Sequence, residues 1–346
     1  MFNMIEYEEI DKIKDDYILI DVRSPKEFEE ATIKGAINIP VLLDNERETV
    51  GTIYVRESTE EAKSVGISFI SKRLPEIFNE IQDLYIKNQG KKIVIFCSRG
   101  GMRSGSIHSL LYSLGLKVYK LKGGYKSYRR YINENLKKVN EGIKYIVLYG
   151  KTGVGKTVYL KKLKEMGYDI LDLEGAANHR GSILGSVSLG NCSSQKAFET
   201  EIFEELKSRK SNLVLVEGES KRIGNTIIPD FIFRSMQNGI KVCIEDSLSN
   251  RSELLIKEYI KDQNSVDELM VCLDRLKRYL NDERVEGYKK LLLDGDYKTV
   301  CEELMVKYYD PLYSNGFKIK DFYEVIINED REETVNRLIN IYSKNS

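Results

Sequence analysis

The sequence predicts an α/β protein with two parallel-sheet domains. Short aliphatic runs alternate with helical patterns along the chain, and strands separated by helices are typical of parallel sheets. The chain of 346 residues also exceeds the length that one hydrophobic core usually serves. A new aliphatic run, KYIVLYG at 144–150, directly follows a charged helical pattern. We therefore place the domain boundary near residue 140 and predict domains at 1–140 and 141–346.

Three aliphatic runs define the first domain: DYILIDV at 16–22, KKIVIFCS at 91–98 and KVYKLKGG at 117–124. The second domain shows the same alternation of strands and helices, with further strands predicted after 144–150. They are YDILDLE at 168–174, SNLVLVEGE at 211–219, KVCIEDS at 241–247 and a returning strand, DFYEVIIN, at 321–328. Residues 250–317 are charged, tyrosine-rich and helical in pattern, so we expect a helical insertion or lid there.

The composition excludes several classes of protein. Hydrophobic residues at 41% and charged residues at 31% are typical of a folded globular chain, and no apolar run is long enough to span a bilayer. The N-terminus lacks the basic and apolar regions of a signal peptide, so we expect a cytoplasmic location and no membrane partner. The five cysteines are scattered without a CxxC pair, which predicts neither disulfides nor a cysteine metal site: Cys97, Cys192, Cys243, Cys272 and Cys301.

A reactive cysteine is predicted at the loop FCSRGGMRSG, residues 96–105. Cys97 ends an aliphatic strand, and a glycine-rich turn leads into a helix, so loop amides, the helix dipole and Arg99 or Arg103 would favour a thiolate. The alternative is a buried strand cysteine without chemistry. The Cys-x5-Arg spacing from Cys97 to Arg103 also matches the phosphate loop of cysteine-dependent phosphatases, although Phe96 stands where those enzymes usually have histidine.

A phosphate-binding loop is predicted at GKTGVGKT, residues 150–157, between a strand and a helix. Lys156 would bind terminal phosphates, and the Thr157 hydroxyl would be placed to ligate Mg²⁺. Glu217, at the end of the strand LVLVE, would hold magnesium or orient water, and Glu219 competes with it for that role. The alternative is a solvated strand-end acid, and the same alternative applies to Asp172 at the end of YDILD. The phosphate-binding residues are Gly150, Gly153, Gly155, Lys156 and Thr157.

A polar loop, LDLEGAANHRGSILG at 171–185, follows the second strand of the second domain. Ligands of α/β sheets bind at the carboxyl ends of strands, so this loop is a candidate substrate loop. His179 and Arg180 are its strongest candidates, because they lie in a polar turn and not on an apolar face. The segment EGESKRIGNTIIP at 217–229 joins the same group. The candidates in both segments are Asp172, Glu174, Asn178, His179, Arg180, Glu217, Glu219 and Arg222.

Two resemblances follow from these motifs. The segment LIDVRSPKEFEEATIKGAINIP at 19–40, the cysteine loop and LKGGYKSYRR at 121–130 resemble a rhodanese domain, which implies that Cys97 carries a chalcogen. The segment departs from the commonest rhodanese pattern in having Ala31-Thr32 where Gly-His often stands. A rhodanese domain followed by GKTGVGKT, DLEG-AANHRG-S and EGESKRIGNTIIP resembles the tRNA 2-selenouridine synthase family. This resemblance implies an N-terminal rhodanese-like domain and a C-terminal P-loop NTPase-like α/β domain with a helical insertion.

The family resemblance also implies an activity. Members are understood to replace the 2-thio sulfur of wobble uridine in tRNA with selenium from selenophosphate, through S-geranylation by geranyl diphosphate. The implied substrates are tRNA, selenophosphate and geranyl diphosphate, with Mg²⁺ at the phosphate loop as the one candidate cofactor. The motifs do not distinguish geranyl diphosphate from ATP or GTP at the phosphate loop. Two other functions stay open: a sulfurtransferase coupled to nucleotide-dependent tRNA thiolation, and a non-catalytic nucleotide-switched binding protein.

A tRNA partner requires a local basic surface, because lysine plus arginine equals aspartate plus glutamate at 54 each. Residues 117–138 are rich in lysine and arginine, with Tyr119, Tyr125, Tyr128 and Tyr131 interleaved as base stacking would require. The alternative is the terminal helix of the first domain with a solvated face. The candidate tRNA-binding residues are Lys122, Lys126, Arg129 and Arg130.

Overall fold

The computed structural model describes residues 3–312 and 321–346. The chain forms two compact units, Met1–Asn135 and Leu136–Ser346. The division between the units falls inside one helix, Gly124–Asn140, a few residues before the boundary predicted from the sequence. Within the described ranges, no helix is long and apolar enough to cross a membrane.

The first unit contains a five-stranded parallel sheet with the order β1-β5-β4-β2-β3. Its central strands are aliphatic and buried on both faces, as expected of a parallel sheet covered by helices. The strands are β1 Met4–Ile5, β2 Tyr17–Asp21, β3 Ile37–Asn38, β4 Lys92–Phe96 and β5 Val118–Leu121. The helices are α1 Tyr7–Lys12, α2 Pro25–Glu30, α3 Asp44–Arg56, α4 Thr59–Lys87, α5 Met102–Ser113 and α6 Gly124–Asn140.

The second unit contains another five-stranded parallel sheet, with the order β12-β11-β6-β8-β7. A short antiparallel pair, β9 and β10, follows β8. The strands are β6 Lys144–Tyr149, β7 Ile170–Leu171, β8 Leu213–Glu217, β9 Arg222–Ile223, β10 Thr226–Ile227, β11 Ile240–Glu245 and β12 Glu324–Ile327. The helices that accompany the sheet are α7 Lys156–Glu165, α8 Leu173–Ala177, α9 Gln195–Ser208, α10 Asp230–Gln237 and, at the end of the chain, α15 Arg331–Asn345.

A helical segment between β11 and β12 has a hydrophobic core of its own, separate from the core under the sheet. No strand occurs between 248 and 312, and the predicted insertion continues to 317, outside the described residues. The segment comprises α11 Leu248–Tyr259, α12 Gln263–Asp274, a 3-10 turn Arg275–Arg278, α13 Asp282–Leu293, α14 Tyr297–Leu304 and a π-helical turn Met305–Tyr309.

These two sheets confirm the predicted α/β fold class, but one predicted strand is shorter than expected. The run YDILDLE contributes only Ile170–Leu171 to the sheet. The side chain of Asp172 accepts a hydrogen bond from the Gly175 amide at 2.7 Å and thereby caps α8. An aspartate at a helix N-cap ends the strand, because its carboxylate satisfies amides that the sheet cannot pair.

Candidate functional site

Cys97 lies directly after β4, where the strand gives way to the glycine-rich turn. Its side chain is buried, at 3% exposure, and the Sγ atom lies 3.2 Å from the Ser104 hydroxyl in the first turns of α5. Ser104 is itself fully buried. The sulfur is therefore held in one position by a hydroxyl group that sequence reasoning did not single out.

The cysteine loop is packed against the turn that opens α6. The amides of Tyr125 and Lys126 donate hydrogen bonds of 2.9 Å to the carbonyls of Cys97 and Ser98. A side chain at Gly124 would not fit, because its Cβ would lie 2.2 Å from the Cys97 carbonyl oxygen. The segment KGGYK thus closes the back of the cysteine loop by direct backbone contact.

The two arginines of the cysteine loop have different surroundings. Arg99 is exposed to solvent. Arg103 donates to both carboxylate oxygens of Glu27, at 2.5 and 3.2 Å. Burial alone would lower the pKa of Arg103, but the hydrogen bond and charge of Glu27 raise it above its ordinary value. Glu27 therefore fixes Arg103 beside the loop, a relationship that no local sequence pattern indicates.

The basic stretch at 117–138 differs from the sequence-based expectation in the position of its tyrosines. Lys122, Lys126 and Arg130 are exposed, and Lys122 pairs with Glu6 at 2.6 Å. The tyrosines, however, are not all available for stacking on bases. Tyr125 and Tyr128 are buried, because their spacing of three residues places both on the inner face of α6. The expected interleaving of tyrosines with basic residues is therefore wrong for these two positions.

Two further tyrosines and one arginine complete that region. The hydroxyl of Tyr131 donates to Asp11 at 2.6 Å, and the ring of Tyr119 lies 5.8 Å from the Lys92 ammonium group. Arg129 donates to the Asn133 side chain at 3.1 Å. The described contacts of α6 thus leave cationic side chains on the outside of the helix and aromatic rings largely on the inside.

The phosphate-binding loop has the backbone that its glycines permit. Gly150, Gly153 and Gly155 all have positive φ angles, of 150°, 85° and 88°. At Gly150 a Cβ would lie 2.5 Å from the Ile244 carbonyl oxygen, so the loop passes close to β11. The Lys156 ammonium group donates to the Gly150 carbonyl at 2.9 Å and so lies over the loop. A phosphate group entering the loop would meet this cation and the amides at the start of α7.

Acidic side chains surround the other end of the loop. Thr157 donates to the Glu174 carboxylate at 2.9 Å, and burial raises the pKa of Glu174 despite the charge of Lys156. Burial and the Glu174 charge raise the pKa of Glu219 to about 8. Glu217 is fully buried, and neither carboxylate oxygen has a hydrogen-bond partner in the described part of the chain. Burial, followed by repulsion from Glu174, raises the pKa of Glu217 well above its ordinary value. These three acids therefore share fewer than three negative charges near neutral pH.

Several residues of the candidate substrate loop have local contacts. Asn178 adopts a left-handed backbone with φ of 47° at the end of α8, and its side-chain amide donates to two carbonyls, those of Leu189 and Asn191. The Nδ1 atom of His179 accepts a hydrogen bond from the Gly181 amide at 3.1 Å. Burial and the charge of Arg180 lower the pKa of His179. These contacts give Asn178 and His179 a clear part in shaping the loop.

The β9–β10 hairpin approaches the same loop through His179. A Cβ at Gly224 would lie 2.8 Å from Cγ of His179, and one at Gly185 would lie 2.8 Å from Cε1. Arg222 is exposed and donates to the Gly224 carbonyl at 3.2 Å. The histidine ring thus lies between two glycines, and Arg222 shapes the hairpin turn.

A cavity of about 790 Å³ collects the remaining candidates. Its polar end is formed by the phosphate-binding loop with Lys156, Thr157, Glu174, Glu219 and Arg180. Arg180 is fixed there because its guanidinium donates to the carbonyls of Val187 and Glu258 and lies 4.5 Å from the Tyr259 ring centroid. Much of the remaining wall is aromatic or aliphatic and includes Tyr149, Phe233, Leu254, Leu255, Tyr259 and Tyr309.

The sequence analysis missed the residues that brace the phosphate-binding loop from the helical segment. Arg251 of α11 is buried and donates to the Thr152 carbonyl at 2.8 Å. It also forms a two-point ion pair with Asp310, at 2.6 and 3.0 Å, and Lys151 lies 3.5 Å from the same carboxylate. No signal in the sequence marks Arg251, because its burial and its partner, 59 residues away, follow only from the fold.

Comparison with known proteins agrees with both units. The family model of the tRNA 2-selenouridine synthase AAA domain matches residues 143–344, and that of the rhodanese-like domain matches residues 6–131. The tRNA 2-selenouridine synthase of Sulfurovum sp. (strain NBC37-1) is 31% identical over 323 residues, covering 85% of this chain and 87% of the relative. The tRNA 2-selenouridine synthase of Hydrogenovibrio crunogenus (strain DSM 25203 / XCL-2) is 31% identical over 332 residues, covering 85% of this chain and 88% of the relative.

Among solved structures, the N-terminal domain of a protein from Clostridium difficile 630 is 44% identical, with a TM-score of 0.35. The match covers 37% of this chain and 98% of that domain. The AAA-domain model alone spans more than half of the chain, and the two relatives align along most of their length. This chain therefore belongs to the tRNA 2-selenouridine synthase family of enzymes.

Proposed function

We propose that this enzyme replaces the 2-thio sulfur of wobble uridine in tRNA with selenium, by way of an S-geranylated intermediate. Geranyl diphosphate would supply the alkyl group and selenophosphate the selenium. The relatives are named for 2-selenouridine synthesis on tRNA, which supports the overall reaction. The observation that carries the geranylation step is the cavity of the second unit, which combines a phosphate-binding end with an aromatic and aliphatic wall.

The first step needs positioning and charge stabilisation. The thiocarbonyl sulfur attacks the allylic carbon of geranyl diphosphate, the carbon–oxygen bond breaks, the N3 proton of the base is released and diphosphate departs. Lys156 and the amides of the phosphate-binding loop would stabilise the charge on the departing group. The cavity wall would hold the hydrocarbon and keep water from the allylic carbon.

A magnesium ion fits this end of the cavity. No group of three or more His, Cys, Asp or Glu side chains among the residues described could hold a metal without a substrate. Magnesium at phosphate sites needs only one or two protein ligands, since phosphates and waters complete its octahedron. Thr157 and Glu174, 2.9 Å apart, would hold the ion, and it would neutralise charge on the diphosphate.

In the second step selenium replaces the alkylated sulfur at C2, and geranyl thiol leaves. Cys97 is suited to handle the chalcogen, because its sulfur lies beside Ser104 in a loop whose turn leads into α5. The selenium atom of selenophosphate would form the bond to C2 as the carbon–sulfur bond breaks and the leaving thiolate takes up a proton, and water would then cleave the selenium–phosphorus bond to release phosphate. Substitution of Cys97 tests whether its side chain takes part in this step.

One assay separates the proposal from its rivals. The full-length protein is incubated with 2-thiouridine tRNA and geranyl diphosphate, with or without selenophosphate, and nucleosides are analysed by mass spectrometry. We expect S-geranyl-2-thiouridine without selenophosphate and 2-selenouridine with it. Thiolation of an unthiolated tRNA with thiosulfate and ATP would instead support a nucleotide-dependent sulfurtransferase. ATP- or GTP-dependent tRNA affinity without any new nucleoside would support a nucleotide-switched binding protein.

A further inference from the structure

A second, smaller cavity adjoins the phosphate-binding cavity. It measures about 70 Å³ and lies within the core of the helical segment. Five residues line both cavities: Thr152, Ser182, Leu255, Tyr259 and Tyr309. The two spaces are therefore neighbours that share one wall, and we call the smaller one the side pocket.

The lining of the side pocket is almost entirely apolar. Beyond the shared wall, most of its residues come from α12, α13 and α14, with others from α11, the polar loop and the turn after α14, and none of these residues lines the larger cavity. Leu273, Leu292 and Val300 belong to this far part and are each at most 4% exposed. A buried apolar space of this kind is not a good site for water, because water would find few hydrogen-bond partners there.

Empty apolar space inside a packed core destabilises a protein, since the residues around it lose contacts. Such space takes apolar ligands readily. Here it lies beside the cavity of the phosphate-binding loop and shares five lining residues with it, so a ligand with a charged head and a hydrocarbon tail matches the chemistry of the two spaces. A nucleotide would leave the apolar part unused.

We propose that the side pocket binds the end of the prenyl chain and limits its length to two isoprene units. This inference rests on the proposed function, because it assumes a prenyl diphosphate in the larger cavity. About 10–15 Å³ of such volume holds one water-sized group, so 70 Å³ holds about five carbon atoms, or one isoprene unit. The first unit lies against Leu255 and Tyr259 near the diphosphate, the second enters the side pocket, and a third meets the far wall.

Calorimetry on the full-length protein tests the pocket directly, with inorganic diphosphate and the dimethylallyl, geranyl and farnesyl diphosphates as probes. Burial of one further isoprene unit should make geranyl diphosphate bind about 100-fold more tightly than the dimethylallyl compound. Farnesyl diphosphate should bind more weakly than geranyl diphosphate. Equal affinity for all three prenyl compounds would overturn the inference.

Two variants locate the chain within the pocket. Val300→Phe should reduce geranyl diphosphate affinity about 100-fold and leave inorganic diphosphate affinity unchanged. Val271→Phe, at a position 64% exposed on α12, is its control. Leu292→Ala should improve farnesyl diphosphate binding about 10-fold by lengthening the pocket. Leu293→Ala, at the adjacent position with 67% exposure, should not.

The outcomes separate the pocket from the proposed function. If Val300→Phe does not fold, the comparison of Leu292→Ala with Leu293→Ala decides alone. Geranylated nucleoside formed with unchanged chain preference in the folded pocket variants would overturn the pocket and leave the proposed function standing. A chain-length preference that responds to both pocket variants, with no geranylated nucleoside in tRNA, would support the pocket and overturn the proposed function.

Discussion

The guanidinium of Arg103 and the carboxylate of Glu27 form a two-point ion pair beside the cysteine loop. The pair joins the first turn of α5 to α2, and neither side chain is more than 24% exposed. Arg103 is therefore already engaged by a carboxylate of the protein. Its first effect is to fix the loop that carries Cys97, and an anion entering the loop would find it positioned in advance.

We expect Glu27→Gln to lower the free energy of unfolding by about 1–2 kcal/mol near neutral pH, because the charge-assisted pair is lost. Burial opposes but does not cancel the effect of Arg103, which lowers the pKa of Glu27 below its ordinary value of 4.5. A lowered carboxyl pKa contributes stability above the ordinary pKa, and this contribution is lost as the pH falls through the folded-state value. Urea unfolding of the unsubstituted protein and of Glu27→Gln should be measured from neutral pH into acid. The difference between their free energies of unfolding should shrink as the pH falls. Glu29→Gln, an exposed neighbour, should show no such trend.

Lys156→Ala should abolish formation of S-geranyl-2-thiouridine while the fold survives. The phosphate-binding loop would lose the main cation near the departing diphosphate, and a loss of 100-fold or more is the usual scale, about 3 kcal/mol, for removing such a group. Nucleoside mass spectrometry measures the product, and circular dichroism melting checks the fold. Lys162→Ala, on the exposed side of α7, is the matched control. Alkylation at the normal rate in Lys156→Ala would exclude this loop from the diphosphate site.

Cys97→Ser should separate the two steps. Alkylation of a thiocarbonyl by an allylic diphosphate needs no enzyme nucleophile, so the variant should still form S-geranyl-2-thiouridine. Serine is a far poorer nucleophile than a thiolate, so 2-selenouridine should be absent and the geranylated nucleoside should accumulate. Both nucleosides are measured in one digest, with Cys192→Ser as control. Normal selenouridine formation by Cys97→Ser would show that the loop binds an anion without covalent chemistry.

Replacing Arg129 and Arg130 together by alanine should weaken tRNA binding and flatten its dependence on salt. Each phosphate contact that is lost reduces the number of counterions released, so the slope of log K against log salt should fall by about one per contact. Filter binding at several salt concentrations measures both quantities. Lys72→Ala with Lys87→Ala removes the same charge from the exposed face of α4 and serves as control. An equal effect of both double variants would point to general electrostatics instead of a site on α6.

Much of the fold can be predicted from the sequence because its signals are local. Aliphatic runs at strand length and the GKTGVGKT motif depend on residues that are close along the chain. The tyrosines of α6 show where composition misleads. Tyr125 and Tyr128 alternate with basic residues along the sequence, but their spacing of three residues places both on the buried face of the helix. The same spacing could have been read in advance from residues 124–140.

The rest of the site depends on contacts between distant segments. The Glu174 carboxylate accepts a hydrogen bond from the Thr157 hydroxyl, 17 residues away in the sequence. Arg251 forms an ion pair with Asp310, 59 residues away. No periodicity in one sequence specifies such pairs. Likewise, His179 lies in a polar loop in the sequence, but the ring packs between Gly185 and Gly224 once the hairpin folds. Candidate residues can be chosen from motifs, whereas their partners require coordinates.

The docking of Gly124 on the cysteine loop matters for anyone who wishes to move this loop into another scaffold. Ten residues around Cys97 form its visible sequence, yet the carbonyls of Cys97 and Ser98 accept hydrogen bonds from amides 28 positions later in the chain. A graft of FCSRGGMRSG alone would leave those carbonyls without their donors and open the back of the loop to solvent. A transferable unit would have to include KGGYK and the strand that precedes it, so the smallest transferable form of this thiol site is discontinuous in sequence.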